Sequence, residues 1–361
     1  MKILCLFKGG RKDRIEMVSK GRAPQDFFYG TLGLKEKGFE VVYGSSNVKY
    51  KGILGKFYHF SELVFQRINK LGIKKYFIKK IIDKYKDTKI IISFTDGLSL
   101  TLGILNLNTS CKKIGCFHCL SDIEFRSSKL FRYWINMIIE KSLSNLNTIA
   151  FFGDNDRKQS IKKYNINPTK TALIKFGVDT DFWVPKNIKA EKGFFSIGQD
   201  PGRDFQTLIN TTVNLPIHIH TDLKVKSKKN NIKITNGSFF KSSLTDLKLR
   251  KLYQNAIAVV VPLKNINQPS GYSVTLQAMS CGKLVILTKT KGLWDKKNLI
   301  SGFNCILVEA GNVNELSTTL EKVFIDKKLR LRIGTEARRT VQKHYNINLA
   351  TRSLELLLNK N

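Results

Sequence analysis

The amino-acid sequence predicts an α/β protein made of two doubly wound domains in tandem. Short apolar runs typical of buried strands alternate with longer stretches of helical periodicity along the chain. This alternation begins again after a loop-like connector at residues 176–189. The length of 361 residues fits two domains of about 100–200 residues each. Such alternation gives parallel sheets covered by helices on both faces, with ligands bound at the carboxyl ends of the strands.

In the first half, apolar and β-branched residues form five short runs that predict strands. The runs are Lys2–Phe7, Glu40–Tyr43, Lys89–Phe94, Lys112–Phe117 and Thr148–Phe152. Apolar residues at helical spacing predict five helices between and after them. The helices are Asp26–Lys37, Ser61–Lys86, Leu98–Asn106, Leu130–Leu143 and Asp154–Tyr164.

The second half repeats the pattern with six expected strands. They are Gly193–Gly198, Pro216–His220, Asn231–Ile234, Ala256–Val261, Lys283–Leu287 and Cys305–Val308. Three helices follow, near Val313–Phe324, Leu329–Lys343 and Leu349–Leu358. We therefore expect a first domain at residues 1–185, a second at 186–343, and a C-terminal helix at 344–361 that packs back toward the first domain.

The charge is unusual, because 62 Lys+Arg and 28 Asp+Glu give a net charge of +34. Such a field favours polyanions such as nucleic acid, anionic lipid or phosphate-bearing ligands. Residues 1–185 and residues 186–361 each carry a net charge of +17. This even division argues against a dedicated nucleic-acid module, and a compositional bias of the source explains the charge equally well.

Composition also excludes several classes of protein. Apolar residues make up 42% of the chain, too many for a disordered protein, and the longest purely apolar run is far shorter than a membrane span. The first residues lack the apolar core of a signal peptide, and the six scattered cysteines are expected to be reduced. A cytoplasmic location is the expectation, with a peripheral position on the cytoplasmic face of the membrane as an option.

One segment, residues 70–86, concentrates basic charge and predicts a basic amphipathic helix. Its lysines are interleaved with apolar residues so that the two sets fall on different faces. They are Lys70, Lys74, Lys75, Lys79, Lys80, Lys84 and Lys86. The segment is either a solvated helix that covers a sheet or a surface that docks on an anionic membrane.

The stretch from Gln268 to Gly282 lies between two predicted strands and carries the strongest chemical signal. Ser270 and Gly271 lead directly into a helix, whose first turn has unpaired N–H groups and the positive end of the helix dipole. Phosphate is the natural ligand of such a turn. Ser/Gly helix starts are also often only caps, so both interpretations stay open on this pattern alone.

Several motifs in order resemble family 4 glycosyltransferases. The run VVVP at residues 259–262 and the segment GYSVTLQAMSCGKLVI at 271–286 are similar to a strand and helix of that family. So are KFGVDTDF at 175–182, FSIG at 195–198 with the following RDFQTLI at 203–209, and SGFNCILV at 301–308. The resemblance covers the chain well from about residue 175 onward. It implies the GT-B fold of two facing Rossmann-like domains and a retaining, metal-independent transfer from a nucleotide sugar.

The sequence departs from the family pattern at the donor site. Gln277 stands where the family carries the second of two glutamates, and Pro269, beside Gln268, stands at the first. Gln277 keeps hydrogen-bonding capacity for a ribose or sugar hydroxyl but lacks the charge. Gln199 replaces a family arginine, which leaves Arg203 as the one cation of that loop for the diphosphate.

The resemblance implies His118 and Arg203 as catalytic residues. For donor binding it implies Gly198, Ser270, Gly271, Tyr272, Ser273 and Gln277. Gly9, Gly10 and Asp96 follow predicted strands and are candidates for the acceptor side. His118 is equally well explained as a structural hydrogen-bonding residue at a strand end.

Two patterns imitate metal sites, but we expect no metal and no cofactor. Cys116, His118 and Cys119, with Cys111, lack the second ligand pair of a zinc site. Asp154 and Asp156 imitate a DxD motif, but an Asp at the start of a helix is ordinarily an N-cap.

The leading hypothesis is a retaining glycosyltransferase of the hexosyltransferase type. It moves a sugar from a nucleotide diphosphate sugar to a saccharide or lipid-linked acceptor in cell-surface polysaccharide biosynthesis. One alternative is a nucleotide-sugar 2-epimerase of the same fold. The other is a catalytically silent basic relative that binds a membrane or polyanion, which Gln277 and Gln199 keep open.

Overall fold

The computed structural model describes residues 1–7, 11–44, 52–69, 71–105, 107, 111–126, 129–186, 191–237 and 244–359. Contacts divide the chain into two compact units. The first unit comprises Met1–Ser19, Phe28–Lys175 and Thr351–Asn361, and the second comprises Lys20–Phe27 and Phe176–Ala350. The second unit therefore includes a short segment from near the start of the chain.

The first unit contains a parallel sheet with the strand order β2-β1-β3-β4-β5-β6. Its strands are β1 (Lys2–Leu6), β2 (Glu40–Gly44), β3 (Ile90–Ser93), β4 (Lys112–Phe117), β5 (Thr148–Phe151) and β6 (Thr171–Leu173). The central strands β3 and β5 are buried along their length because helices cover both faces of the sheet. The five predicted strands are confirmed, and β6 is an additional edge strand.

The helices of the first unit are α1 (Arg11–Ser19), α2 (Gly52–Asn69), α3 (Lys75–Lys84), α4 (Asp96–Ile104), α5 (Arg132–Ser144) and α6 (Asp154–Tyr164). The buried face of α3 consists of Phe77, Ile78, Ile81 and Ile82. These four side chains pack in the core cluster that also contains residues of α4 and α5. The apolar side of the predicted basic helix therefore faces the core, and its lysines at 75, 79, 80 and 84 are exposed.

Two helix predictions in this half were wrong in their extent. A single helix at Asp26–Lys37 is replaced by two short 3-10 helices, Asp26–Phe28 and Lys35–Lys37, because Tyr29 and Gly30 adopt left-handed backbone conformations between them. The predicted helix Ser61–Lys86 is two helices, α2 and α3, with an irregular stretch at residues 71–74 between them. The break lies where the Gly72 backbone passes so close to Gly97 that a Cβ on Gly97 would lie 2.7 Å from it.

The second unit contains a parallel sheet with the strand order β12-β11-β10-β7-β8-β9. Its strands are β7 (Phe194–Ile197), β8 (Ile217–His220), β9 (Ile232–Thr235), β10 (Val259–Val261), β11 (Val285–Lys289) and β12 (Ile306–Glu309). Its helices are α7 (Phe205–Asn210), α8 (Asp246–Asn255), α9 (Tyr272–Ser280), α10 (Val313–Ile325) and α11 (Lys327–His344). A last helix, α12 (Ile347–Asn359), starts in the second unit and continues into the first from Thr351.

Apolar side chains from alternate positions of this second sheet pack with residues of α7 and α10 in a core cluster against one face of the sheet. The six strands predicted for this half are confirmed, with ends that differ by at most three residues. Across the residues that the structure describes, no helix combines the length and apolarity needed to cross a membrane.

Candidate active site

Arg203 lies in the loop between β7 and α7, and the loop is held by its own hydrogen bonds. The Asp200 carboxylate accepts from the Gly202 N–H at 2.6 Å and from Gln268 Nε2 at 2.9 Å. Asp204 caps α7 by accepting from the Thr207 N–H at 3.2 Å. Gln268 therefore joins the loop that carries Arg203 to the stretch that precedes α9.

The Arg203 side chain is only 6% exposed. Its Nε and Nη1 atoms are buried and have no hydrogen-bond partner among the described residues. Burial lowers the pKa of the guanidinium, and the negative charge of Asp200 partly opposes this shift. A buried cation with unpaired donors is costly on its own, so the arrangement suits an anionic ligand that accepts from these atoms.

Two glycines flank this guanidinium. A Cβ on Gly198 would lie 2.7 Å from Arg203 Cζ, and a Cβ on Gly271 would lie 3.4 Å from Arg203 Nη1. Gly271 also has a φ of 81° and lies against Val261, where a Cβ would come within 2.7 Å of Cγ1. Glycine at both positions therefore leaves room for the arginine, and the left-handed turn at Gly271 favours glycine.

Helix α9 begins directly after Gly271, which is its N-cap and forms no side-chain cap. The first turn of a helix leaves N–H groups without intrahelical partners and carries partial positive charge. The buried Ser270 hydroxyl, just before it, has no hydrogen-bond partner in the described part of the chain. The structure thus brings Gly198, Arg203, Ser270 and Gly271 together at the carboxyl ends of β7 and β10.

Tyr272 and Ser273 occupy the first turn of α9, where both are half-buried. The Tyr272 ring contacts Phe176, with ring centroids 4.5 Å apart, and Trp294, with centroids 6.2 Å apart. These two contacts hold the Tyr272 ring in place at the first turn of α9.

Gln277 is buried on α9, and both ends of its side-chain amide are hydrogen-bonded within the second unit. Its Nε2 donates to Asp26 Oδ2 at 2.8 Å, and its Oε1 accepts from the Tyr253 hydroxyl at 3.2 Å. Asp26 also accepts from Trp183 Nε1 at 2.7 Å and from the Asp179 N–H at 2.7 Å. The amide of Gln277 is therefore held in one orientation.

Asp26 is a site residue that sequence reasoning missed. Burial raises the pKa of its carboxyl to about 7, although the hydrogen bonds from Asp179, Gln277 and Trp183 oppose the shift. A glutamate at position 277 would bring a second carboxylate within hydrogen-bonding distance of Asp26. The replacement of the family glutamate by Gln277 is the sequence signal that could have pointed to a neighbouring acid.

In the first unit, the structure brings His118 and Asp96 together at the ends of β4 and β3. The backbone N–H of His118 donates to Asp96 Oδ1 at 2.7 Å. Its Nε2 lies 3.0 Å from the Phe94 carbonyl, which can only accept, so Nε2 carries the proton of this bond. The His118 ring also stacks on Phe152, with centroids 4.4 Å apart. Gly9 and Gly10 lie outside the described residues.

The two metal-like patterns have ordinary structural contacts. Cys116 and Cys119 are buried thiols. Asp154 lies one residue inside α6, where Gly153 is the N-cap, and it pairs with Arg157, so the expected Asp cap was wrong. Asp156 accepts from the backbone N–H groups of Leu120 and Ser121. Within the described ranges, no group of three or more His, Cys, Asp or Glu side chains is arranged to hold a metal ion.

Part of the chain matches the model of a known protein family. Residues 220–340 match the family model for glycosyl transferases group 1. This match lies within the second unit. No match was found among curated proteins.

Solved structures resemble this chain over nearly its whole length. HepE from Anabaena, in complex with UDP and glucose, has a TM-score of 0.68 at 13% identity, with 99% of each chain covered. Sucrose-phosphate synthase from Thermosynechococcus elongatus has a TM-score of 0.69 at 14% identity, covering 100% of this chain and 98% of the synthase. WaaG, a glycosyltransferase involved in lipopolysaccharide biosynthesis, has a TM-score of 0.61 at 12% identity, covering 99% and 100%.

These likenesses confirm the predicted fold, two Rossmann-like domains of the GT-B type. The family match confirms the predicted resemblance to glycosyltransferases, and with it the enzyme class. Membership of family 4 in particular stays a prediction.

Proposed function

We propose that the protein is a retaining glycosyltransferase of the hexosyltransferase type. It would transfer a sugar from a nucleotide diphosphate sugar to a saccharide or lipid-linked acceptor in cell-surface glycan synthesis. The observation that carries this proposal is the buried Arg203 guanidinium, with two unpaired nitrogens, beside the glycine-capped start of α9.

The chemistry of the proposed reaction needs positive charge where the diphosphate leaves. Breaking the bond between the sugar and the diphosphate places negative charge on the departing oxygen, and fixed donors stabilise that charge. In this proposal, Arg203, the N–H groups of the first turn of α9 and the Ser270 hydroxyl supply those donors. Gly198 and Gly271 let the phosphates approach the backbone closely, and the proposed mechanism uses no cofactor or metal.

We propose a uridine diphosphate sugar as the donor. HepE, which shares the fold, was solved with UDP and with UDP-glucose, and this supports UDP as the first nucleotide to test. Gln277 is proposed to meet the ribose, because its Oε1 accepts one hydrogen bond from Tyr253 and has capacity for a second. Tyr272 and Ser273 are proposed to line the donor pocket.

The first unit is proposed to bind the acceptor. His118, whose backbone N–H donates to Asp96, is proposed as a catalytic residue of the transfer. Asp96, Gly9 and Gly10 are proposed as acceptor-side residues. The exposed lysines of α3 support an anionic membrane surface as a partner on the cytoplasmic side.

The test is release of UDP from UDP-sugars by purified protein, with and without saccharide acceptors. Arg203→Ala should lower turnover by about 100-fold or more, as does removal of one donor to a developing oxyanion in other enzymes. Arg203→Lys should retain part of the activity. Arg339→Ala, an exposed arginine that pairs with Glu336, is the matched control and should behave like the wild type.

Equal turnover in wild type and Arg203→Ala would overturn the assignment of the site. Interconversion of a free nucleotide sugar without any acceptor would favour an epimerase instead. Nucleotide binding without turnover of any UDP-sugar or GDP-sugar would favour a silent relative.

A further inference from the structure

Helix α2 in the first unit carries a row of exposed apolar side chains. Ile53 is 88% exposed, Phe57 63%, Phe60 65% and Val64 40%. Their spacing of four, three and four residues places them on one face of the helix. The row extends over about 17 Å, at a rise of about 1.5 Å per residue. We call these four residues the α2 stripe.

The opposite side of α2 is anchored to the rest of the unit. Glu62 Oε1 accepts from the Tyr76 N–H of α3 at 3.0 Å, and the Tyr58 ring stacks on Tyr76 with centroids 5.6 Å apart. Phe65 packs against the core cluster of the first unit. At about 100° per residue, these anchoring positions lie more than a quarter turn away from the α2 stripe. The stripe is therefore held facing outward.

Two basic residues of α2, Lys56 and Arg67, are exposed beside the α2 stripe. The neighbouring α3, which contacts the anchored side of α2, exposes Lys75, Lys79, Lys80 and Lys84. The acidic residues of the two helices are Glu62, which bonds to α3, and Asp83. Because the apolar face of α3 is buried in the core, α3 offers no apolar side chains for insertion.

We infer that α2 is the element that inserts into an anionic bilayer surface. The α2 stripe would enter the boundary between headgroups and acyl chains, while Lys56 and Arg67 beside it meet the lipid phosphates. This inference rests on the anionic membrane partner proposed above, and it assigns the insertion to α2 rather than to residues 70–86. A second copy of the chain fits this surface poorly, because Lys56 and Arg67 of one copy would face the same cations of the other.

The experiment measures sedimentation of the full chain with vesicles. The vesicles are phosphatidylcholine alone, or phosphatidylcholine mixed with phosphatidylglycerol. In the stripe variant, Ile53, Phe57 and Phe60 are changed to Ser. In the matched control, three comparably exposed apolar residues elsewhere, Ile325, Leu331 and Leu356, are changed to Ser.

Wild type and control should bind the anionic vesicles equally, and the stripe variant should bind at least about tenfold more weakly. A Phe57→Trp variant should show a blue shift of its fluorescence on anionic vesicles, and Ile325→Trp should show none. Thermal unfolding and UDP binding of the stripe variant should match wild type, which separates a docking defect from a folding or donor-site defect.

Equal vesicle binding by wild type and stripe variant would overturn the role of α2 while leaving a membrane partner in place. If wild type binds neither vesicle, both the partner and the inference fail, whatever the result for UDP. A wild-type dimer that the stripe variant converts to a monomer, without vesicle binding, would assign the surface to a second copy. Binding of an acidic protein through the α2 stripe, without binding to vesicles, would also contradict the assignment of this surface to lipid.

Discussion

The buried Asp26 carboxyl is predicted to make the stability of the second unit fall as pH rises. The pKa of Asp26 is raised to about 7 in the folded protein, against about 3.9 in an unfolded chain. Between these values the folded state retains a proton that the unfolded state has lost. The free energy of unfolding therefore decreases from about pH 4 to about pH 7 and is level above that range.

The size of this effect follows from the difference between the two pKa values. At about 1.4 kcal/mol per pKa unit, a difference of about three units amounts to roughly 4 kcal/mol across the whole range. Asp26→Asn removes the titrating group and with it this part of the pH dependence. The variant also turns one carboxylate oxygen into an NH2 group that faces existing donors. This mismatch lowers the free energy of unfolding by about 1–3 kcal/mol.

The assay is urea unfolding at several pH values between 5 and 8, with tryptophan fluorescence as the signal. Trp183, which donates to Asp26, reports on the second unit directly. Asp83→Asn, at an exposed position, is the control and should keep the wild-type pH dependence. The same pH dependence in wild type and Asp26→Asn would refute the assignment of a proton to Asp26.

A charge exchange at the same contact tests the pairing of Asp26 with Gln277. Gln277→Glu alone should destabilise the protein most strongly above pH 7, because two buried carboxyls then share one site. Adding Asp26→Asn to Gln277→Glu restores one acid and one amide, so the double variant should recover part of the lost stability. Additive losses in the double variant would contradict the pairing.

Three further substitutions test other contacts. Gly198→Ala places a methyl group against the Arg203 guanidinium, and we expect at least about tenfold weaker UDP binding by calorimetry, since the arginine must move. Asp156→Asn removes one acceptor from the Leu120 and Ser121 N–H groups, and it should lower the free energy of unfolding by about 1–3 kcal/mol. An unchanged midpoint of urea unfolding would contradict this. His118→Ala should lower transfer to the acceptor without changing UDP affinity, and loss of UDP binding would count against its assignment to the sugar.

The sheets could be predicted because their strands are buried on both faces. The strands Ile90–Ser93 and Val259–Val261 are buried at every position, and their runs of Ile and Val are visible in the local sequence alone. Strand β6, Thr171–Leu173, lies at the edge of the sheet and has a single fully buried position, so its sequence lacks a continuous apolar run. The break between α2 and α3 depends on the close approach of Gly72 and Gly97, which the spacing of apolar residues does not encode.

The candidate donor site likewise has one part that could be predicted from the sequence and one part that could not. The start of α9 could be found because Ser270, Gly271 and the following helix are contiguous in sequence. The contribution of Asp26 could not, because its hydrogen-bond partners Asp179, Trp183 and Gln277 lie 153, 157 and 251 residues away. Apolar periodicity made Asp26 the start of a predicted helix and gave no sign of a buried carboxyl.

The central claim is that Arg203 and the start of α9 bind the diphosphate of a nucleotide. The most direct measurement compares the affinities of UDP, UMP and uridine for wild type, Arg203→Ala and Arg339→Ala by calorimetry. We predict that wild type and Arg339→Ala prefer UDP over UMP by at least about tenfold, and that Arg203→Ala loses this preference while uridine binds all three alike. An undiminished preference for UDP in Arg203→Ala would contradict the account.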